Sequence, residues 1–418
     1  MNVRDRAENL KLDDHFFRHQ YAKLVAVLTA YFGLKEVAFV EDVVQDTLLA
    51  ASEQWSVKGF PENPEGWLMD VAKKKTINAL KRNQLYQTKI KPVMSRNVFR
   101  EENMFDNDFV EDSTLKMLFC VCHPDLPKEA QISLSLRTLC GFSVPEIARA
   151  LFTSTANINK RLYRAKKRFR EGNLSFDLPG KGSFQERSTG VFRIIYLLFS
   201  EGYYSSLHED TIRIELCFEA IRLLEAYLKA YPDSAEANGL MALLLFQTAR
   251  IESRKSGDGL LIQLQYQDRT LWDKELIGRG MDFLTKSTES NQLNVYQIQA
   301  GIAAEHAIAK SFGETNWVSV YKQYEILEKM DPNGIVALNK CIANYYSGNR
   351  ESAIKNALQL TSHQELENYI WYELTLATFY AEEGDQSTAI KFFQKALSIA
   401  ISDSEVVTIN QRMKDYGL

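Results

Sequence analysis

Apolar residues recur at intervals of three and four along almost the whole chain, which is the spacing of an amphipathic helix. No alternating run of strand length interrupts this pattern. Glycine and proline are few and fall mostly between the periodic segments. The pattern therefore predicts an all-α protein, with three or four helices between residues 12 and 86, a second small helical group and a long helical region at the end.

Two stretches of weak periodicity separate these helical groups. Residues 87–110 are polar, with a basic run followed by an acidic run, and are typical of a flexible linker. The segment 174–188 is rich in residues that break helices. We therefore divide the chain into a first module (10–86), a linker (87–112), a second module (113–173) and an extension (185–418).

The extension contains a repeated sequence. The eight residues from Gly348 to Lys355 match those from Gly384 to Lys391 at an offset of 36 residues. This period, with a small residue between two amphipathic segments, is typical of a tetratricopeptide-like helix pair. The extension is therefore predicted to be a helical domain of this kind.

Charge is distributed unevenly over the 418 residues. Residues 1–173 carry 27 basic and 22 acidic side chains, a net charge of +5, whereas the remainder carries 23 and 32, a net charge of −9. The basic excess is concentrated in two helix-patterned stretches, 66–100 and 149–170. Two cationic helices on separate small modules favour two contacts with nucleic acid, and the acidic extension favours other partners or an intramolecular contact.

The second basic stretch ends a predicted helix-turn-helix. Ser143 is suited to cap the first helix, Pro145 is tolerated in its first turn, and Glu146 is favourable near its amino end. After a short turn, Ile158 and Leu162 face inward on the second helix. Amide and cationic side chains near the start of such a helix suit base edges and phosphates. The alternative is a solvated basic helix. The candidate residues for DNA are Thr155, Asn157, Asn159, Lys160, Arg161, Arg164 and Lys167.

The first basic stretch has a different setting. A turn-rich loop, 59–64, precedes it, and apolar residues from Trp67 to Leu80 form a stripe along one side of the predicted helix. Basic side chains with an asparagine and nearby aromatic rings suit single-stranded or melted DNA. An ordinary amphipathic surface helix is the alternative. The candidate residues are Asn63, Trp67, Lys73, Lys74, Lys75, Asn78, Lys81 and Arg82.

Together these motifs resemble the bacterial extracytoplasmic-function (ECF) sigma factors. The run 41–47, followed by Trp55 and by the loop leading to Trp67, is similar to their second conserved region. The segment 146–166 resembles their fourth region. Further motifs near 123, 199–203 and 267–273 are similar to a subgroup with a large tetratricopeptide-like extension. The resemblance therefore covers nearly the whole chain.

The resemblance implies a role for each candidate set. The helix of the first module would dock on the largest subunit of core RNA polymerase through Asp42, Gln45, Asp46 and Leu49. The alternative for this stretch is an amphipathic helix with a polar outer face. Residues 63–82 would recognise and open the promoter element near −10, and the helix 155–168 would read the element near −35. An alternative sigma factor of this kind binds polymerase and promoter DNA, uses no cofactor and is not an enzyme.

Other chemistry is weakly supported. For a zinc site at Cys120, Cys122 and His123, Cys140 is the only nearby candidate for the fourth ligand, and buried structural cysteines are the favoured interpretation. No phosphate-binding loop or nucleophile motif is present. The clusters at 201–204 and 268–273 favour turns and caps over a pocket or an interface. Five scattered cysteines, no apolar leader and no long apolar run indicate a cytoplasmic protein without a membrane span or a metal.

Two other functions remain open at this stage. One is a stand-alone transcriptional regulator with a helix-turn-helix and a helical sensing domain, which would bind duplex DNA without polymerase. The other is a helical-repeat scaffold or an enzyme with an incidental basic helix, which would make no salt-sensitive DNA contact.

Overall fold

The computed structural model describes residues 3–82, 107–151, 153–172, 174–205, 212–254, 262–290, 292–400 and 403–418. Every regular element in these ranges is helical, which confirms the all-α prediction. The described residues form two compact units. The first unit is drawn from Met1–Gly202 and Thr211–Ala230, and the second from Tyr203–Asp210 and Tyr231–Leu418.

Three long helices begin the first unit. They are α1 (Val3–Phe32), α2 (Val37–Lys58) and α3 (Pro64–Arg82). Helix α1 packs against both α2 and α3. Its central residues Leu24, Val27 and Leu28 are at most 1% exposed, so this helix forms the core of the first module.

Six further helices complete the first unit. They are α4 (Asn107–Val121), α5 (Lys128–Leu134), α6 (Val144–Ala150), α7 (Thr155–Glu171), α8 (Phe184–Ser205) and α9 (Ile212–Ala230). A π-helical turn, Ser135–Leu139, extends α5. Helix α4 begins at Asn107, so the last residues of the predicted linker are helical, and 87–106 lie outside the described residues.

The first two helices of the extension belong to the same compact unit as the two modules. The Nη2 atom of Arg187, on α8, donates to the carbonyl of Phe119 on α4 at 2.6 Å. Arg18 of α1 forms ion pairs with Glu146 of α6 and with Glu215 of α9. These bonds join both modules to α8 and α9.

The second unit is a succession of helices in which neighbours along the chain pack together. They are α10 (Ala235–Thr248), α11 (Lys274–Thr288), α12 (Val295–Ile308), α13 (Trp317–Met330), α14 (Gly334–Tyr346), α15 (Arg350–Leu358), α16 (Ile370–Glu382), α17 (Gln386–Ile399) and α18 (Asp403–Asp415).

The repeated sequence has the same structure in both of its copies. Gly348 separates α14 from α15 and Gly384 separates α16 from α17, with φ angles of 104° and 83°. Glycine adopts such left-handed angles without the steric cost that a Cβ brings. Ala353 and Ala389, five residues later, are both fully buried. The 36-residue offset therefore relates two equivalent helix–turn–helix units.

Candidate nucleic-acid interface

The helix-turn-helix begins with a reciprocal cap. The amide of Glu146 donates to the Oγ of Ser143 at 3.4 Å, and the amide of Ser143 donates to Oε2 of Glu146 at 2.7 Å. Burial opposes ionisation of Glu146, but the bonds from Ser143 and the charge of Arg18 lower the pKa of this carboxyl. Ser143 and Glu146 thus fix the start of α6 as the sequence predicts.

Helix α7 presents one apolar and one polar face. Its amino end is capped by Ser154, whose Oγ accepts a bond from the amide of Asn157 at 3.2 Å. Ile158, Leu162 and Phe169 are at most 5% exposed and lie on the face that packs inward. The inward positions of Ile158 and Leu162 agree with the periodicity of the sequence.

The polar face of α7 holds the candidate DNA-contacting side chains. Arg161 is half-buried, and the other candidates are exposed: Thr155, Asn157, Asn159, Lys160, Arg164 and Lys167. Within the described part of the chain, no ion pair involves Lys160, Arg161 or Arg164, whereas Nζ of Lys167 lies 3.9 Å from Oε2 of Glu171. Most of the cationic charge of this face is therefore uncompensated by the protein.

A second exposed face lies on α2. Asp42, Gln45, Asp46 and Leu49 are exposed and follow the i, i+3, i+4, i+7 spacing that places residues on one side of a helix. Leu49 is 61% exposed, which is unusual for a large apolar side chain in a helix. Partial burial and the neighbouring carboxylates of Glu41 and Asp46 raise the pKa of Asp42, against the effect of Lys166. This face combines carboxylates, an amide and an apolar contact.

An aromatic cluster lies where the loop 59–64 enters α3. Asn63 caps the helix, because its Oδ1 accepts a bond from the amide of Gly66 at 2.9 Å. The ring of Trp67 lies 5.4 Å from that of Trp55, which lies 5.0 Å from Phe60. Trp67 is half-buried and Phe60 is 54% exposed. The cluster therefore offers a partly exposed aromatic surface at the amino end of a basic helix.

The cations of α3 differ in their surroundings. Lys74 is exposed, as is Asn78, whereas Lys73 and Lys75 are half-buried. The Nζ of Lys75 donates to the carbonyl oxygen of Asp46 at 2.8 Å, which ties α3 to α2. The side chains of Lys81 and Arg82 lie outside the described residues.

A buried carboxylate joins the two modules, and the sequence reasoning missed it. Glu41 is 1% exposed, and its Oε2 accepts bonds from the hydroxyl of Tyr21 at 3.0 Å, from Nζ of Lys166 at 3.0 Å and from Nε of Arg137 at 3.3 Å. Tyr21 and Glu41 belong to the first module, and Arg137 and Lys166 to the second. We call these four residues the Glu41 cluster.

The sequence does indicate that Glu41 is unusual, because it lies among apolar residues. Val37, Val40 and Val44, at four, one and three residues from Glu41 respectively, are all buried, so the carboxylate lies on the apolar side of α2. A charged residue there requires a cationic partner. The sequence alone does not give the partners, because Arg137 and Lys166 are far away along the chain.

Comparisons with known proteins define the class. The family model described as Sigma-70, region 4 matches residues 121–169, which contain the helix-turn-helix. The model described as a family of unknown function (DUF6596) matches residues 187–288. The protein is therefore sigma-factor-like, with a DNA-binding region 4 domain.

A relative matches the chain over nearly its whole length. An uncharacterized protein of Rhizobium meliloti (strain 1021) is 32% identical over 394 residues, which is 93% of this chain and 92% of that protein. The chain belongs to the same family as this Rhizobium protein.

The other motifs singled out in the sequence have structural roles in the fold. Asp268 caps the short 3-10 turn Arg269–Leu271 by accepting a bond from the amide of Thr270. Asp273 caps α11 by accepting a bond from the amide of Glu275. All five cysteines are buried and free, and burial raises the pKa of Cys120 and Cys122 to about 12. In the described ranges, no helix is long and apolar enough to cross a bilayer, and no group of three His, Cys, Asp or Glu side chains is arranged to hold a metal ion.

Proposed function

We propose that this protein is an alternative sigma factor of the ECF type, which binds core RNA polymerase and directs promoter recognition, melting and initiation. The main support is the Sigma-70 region 4 match on an exposed, amide-rich and basic α7, preceded by a module with a separate exposed face. A stand-alone regulator needs α7, but it has no use for the exposed set Asp42, Gln45, Asp46 and Leu49 on α2.

The face of α2 is proposed to dock on the polymerase. Two carboxylates and an amide suit basic and polar groups on a partner, and the exposed Leu49 supplies apolar area at the same place. Because the four residues share one side of α2, a single helix of the partner can contact all of them.

The promoter is proposed to bind at two places. Helix α7 lies in the major groove near −35, with Asn157 and Asn159 towards base edges and Lys160, Arg164 and Lys167 towards phosphates. The aromatic cluster and Lys74 and Asn78 of α3 contact melted DNA near −10. Such binding weakens steeply with salt because each phosphate contact releases counterions. The protein itself supplies binding energy and no catalytic group, and it acts in the cytoplasm without a cofactor.

The extension is proposed to regulate or support this activity through a protein partner or an intramolecular contact. It carries the net charge of −9 and the repeated helix pairs, which are typical of surfaces that bind partners. A chain that ends after residue 230 keeps α8 and α9, which bond to the modules. Unchanged promoter-directed transcription by that chain would reject a role for the rest of the extension.

Copurification with core polymerase tests the main proposal. We expect the full chain to bind core polymerase, and the double variant Asp42→Lys, Asp46→Lys to lose at least about tenfold in affinity, because like charges then face a basic partner. Asp282→Lys on α11 and Glu351→Lys on α15, both at exposed positions, make the same charge change when they are combined and serve as the control.

Two outcomes would contradict the proposal. Duplex binding with no retention of polymerase would favour the stand-alone regulator. Equal retention of the double variant and the control would remove α2 as the docking face.

A further inference from the structure

The second unit contains a cavity of about 420 Å³. Helices α14 and α16 contribute residues to its walls, as do the segment 262–267 and the carboxyl-terminal helix α18. Its volume falls in the range of sites that enclose small organic molecules. The cavity plays no part in the DNA or polymerase contacts proposed above.

The charge of the lining is opposite to that of the extension as a whole. Arg250, Arg254 and Arg412 line the cavity, and no aspartate or glutamate is among its described lining residues. The extension carries a net charge of −9, so carboxylates are the commoner charged groups around it. Three guanidinium groups in a lining with no described carboxylate make this cavity a favourable environment for an anion.

Arg412 is incompletely satisfied within the protein. Its Nη1 donates to the Oγ1 of Thr378 at 2.9 Å, and its Nη2 donates to the Oε1 of Gln263. Its Nε atom is shielded from solvent and has no hydrogen-bond partner among the described residues. Burial lowers the pKa of this guanidinium, against the opposing effect of Asp415 and nearby tyrosines. An anion in the cavity would supply the missing acceptor.

The other two arginines are held by an aromatic residue. The Nε of Arg250 donates to the hydroxyl of Tyr203 at 2.8 Å, and Nη1 of Arg254 donates to the carbonyl of Tyr203 at 2.6 Å. The Cζ of Arg254 lies 3.7 Å from the centre of the Tyr203 ring. Tyr203 therefore positions both cations without neutralising either one.

Aromatic rings form another part of the wall. The rings of Phe312, Trp317 and Tyr346 lie 4.8–5.0 Å from one another. The hydroxyl of Tyr346 bonds to Glu382 at 3.2 Å, and Glu382 is not among the lining residues. A planar or apolar group would be buried against these rings.

From these contacts we infer that the cavity binds a small organic anion. A carboxylate or phosphate head group lies at Arg412 and the arginines held by Tyr203, and an aromatic or apolar body lies against Trp317 and Tyr346. The volume of about 420 Å³ favours a small molecule over a peptide segment. The protein thus has a ligand site in its extension, separate from its DNA and polymerase surfaces.

Titrations of the full-length protein by ligand-observed NMR test this inference. The charged compounds are benzoate, indole-3-carboxylate and phenyl phosphate, and benzamide is the uncharged counterpart. We expect at least one charged compound to bind about tenfold or more tightly than benzamide, because bonds between ions are the stronger ones. Comparison of benzoate with phenyl phosphate identifies the head group.

Variants locate the site. Arg412→Gln should weaken binding of the charged compound about tenfold or more, whereas Arg279→Gln, exposed on α11 outside the cavity, should leave it unchanged. Ile342→Phe keeps every arginine and adds a ring to the lining, so it should also weaken binding. If Arg412→Gln does not fold, Ile342→Phe still tests whether the compound binds in the cavity.

Three results would overturn the inference. They are equal binding of benzoate, phenyl phosphate and benzamide, undiminished binding by a folded Arg412→Gln or Ile342→Phe variant, and binding of a glutamate-rich peptide alone. None of these measurements involves polymerase or DNA, so their outcome is independent of the proposed function.

Discussion

His306 shows how one residue can set the acid stability of the second unit. Its ring lies 5.2 Å from Trp317, and its Nδ1 lies 3.4 Å from the Oγ1 of Thr315. Burial, together with the charges of Arg250 and Arg269, lowers the pKa of His306 to about 3. The native protein therefore keeps this imidazole neutral over a pH range in which the unfolded chain protonates it.

We expect the free energy of unfolding to fall on acidification because of this residue. The contribution of neutral His306 is complete above the unfolded pKa of about 6.5 and is lost progressively as the pH falls towards 3. Between pH 7 and pH 5 the loss should be about 1–2 kcal/mol. Urea unfolding followed by tryptophan emission measures it.

The variant His306→Gln removes the titrating group. Its unfolding free energy should therefore decline less than that of the wild-type protein over the same pH range. His363→Gln, in the same unit, is the control. Parallel declines for the wild type and His306→Gln would show that His306 does not titrate as described.

At the residue scale, the sequence predicts which side chains are exposed better than it predicts which groups meet. Asp42, Gln45, Asp46 and Leu49 share an exposed side of α2, as the helical period requires. The partners of Glu41 lie 96 and 125 residues further along the chain. Contacts between residues so far apart in the sequence depend on how whole helices pack, and local spacing does not determine that packing.

At the scale of elements, the turns of the repeated helix pairs depend on glycine. Gly384 has a φ angle of 83°, and a Cβ added there meets no atom within 4 Å. Gly278, inside α11, is also exposed with free space around it, but its backbone is helical. These two positions separate the effect of backbone strain from that of packing.

The same substitution should therefore act in opposite directions at the two glycines. Gly384→Ala should destabilise the α16–α17 pair by about 1 kcal/mol, because alanine is strained at positive φ. Gly278→Ala should stabilise α11 by about 0.5–1 kcal/mol, because glycine has a low helix propensity. Amide hydrogen exchange of these helices measures both effects locally. Changes of the same sign would contradict this account of the turn.

The sequence was informative about elements wherever their signals were local. The cap of α6 follows from Ser143 and Glu146, and the 36-residue offset located both glycine turns. The cavity of the second unit had no such signal, because Arg412 lies far along the chain from Arg250 and Arg254.

At the scale of the whole molecule, the Glu41 cluster has to open for the proposed function. Promoter elements near −10 and −35 are about 25 base pairs apart, or roughly 85 Å along the duplex at 3.4 Å per base pair. Yet Nζ of Lys166 on α7 lies 3.0 Å from Oε2 of Glu41 on α2. The two modules cannot keep this contact while they occupy both elements.

Weakening the cluster should therefore favour DNA binding by the free protein. We expect Glu41→Gln to raise affinity for a −35 duplex about threefold to tenfold, because Lys166 and Arg137 then lose a carboxylate that competes with phosphate. The variant should also unfold at lower urea concentration. Fluorescence anisotropy at fixed salt measures the affinity, and Glu53→Gln, an exposed position on α2, is the control. Equal affinities for the two variants would show that the cluster does not restrain α7.

The charge distribution divides the sequence into a basic front and an acidic back. The first unit shows that this division is not a boundary in the structure, because α8 and α9 of the extension bond to both modules through Arg187 and Glu215. The distribution of charge reflects which surfaces bind partners, whereas the limits of a compact unit depend on which apolar surfaces are buried together.

The carboxylate of Glu41 neutralises Lys166 from within the protein, at a place where a phosphate of bound DNA would otherwise be its counterpart in the proposed complex. In the free protein the negative charge next to Lys166 is therefore the carboxylate of Glu41. In the proposed complex, a DNA phosphate has to displace Glu41 before Lys166 contributes its charge, so contacts with non-specific DNA would be weaker than the cations of α7 alone suggest.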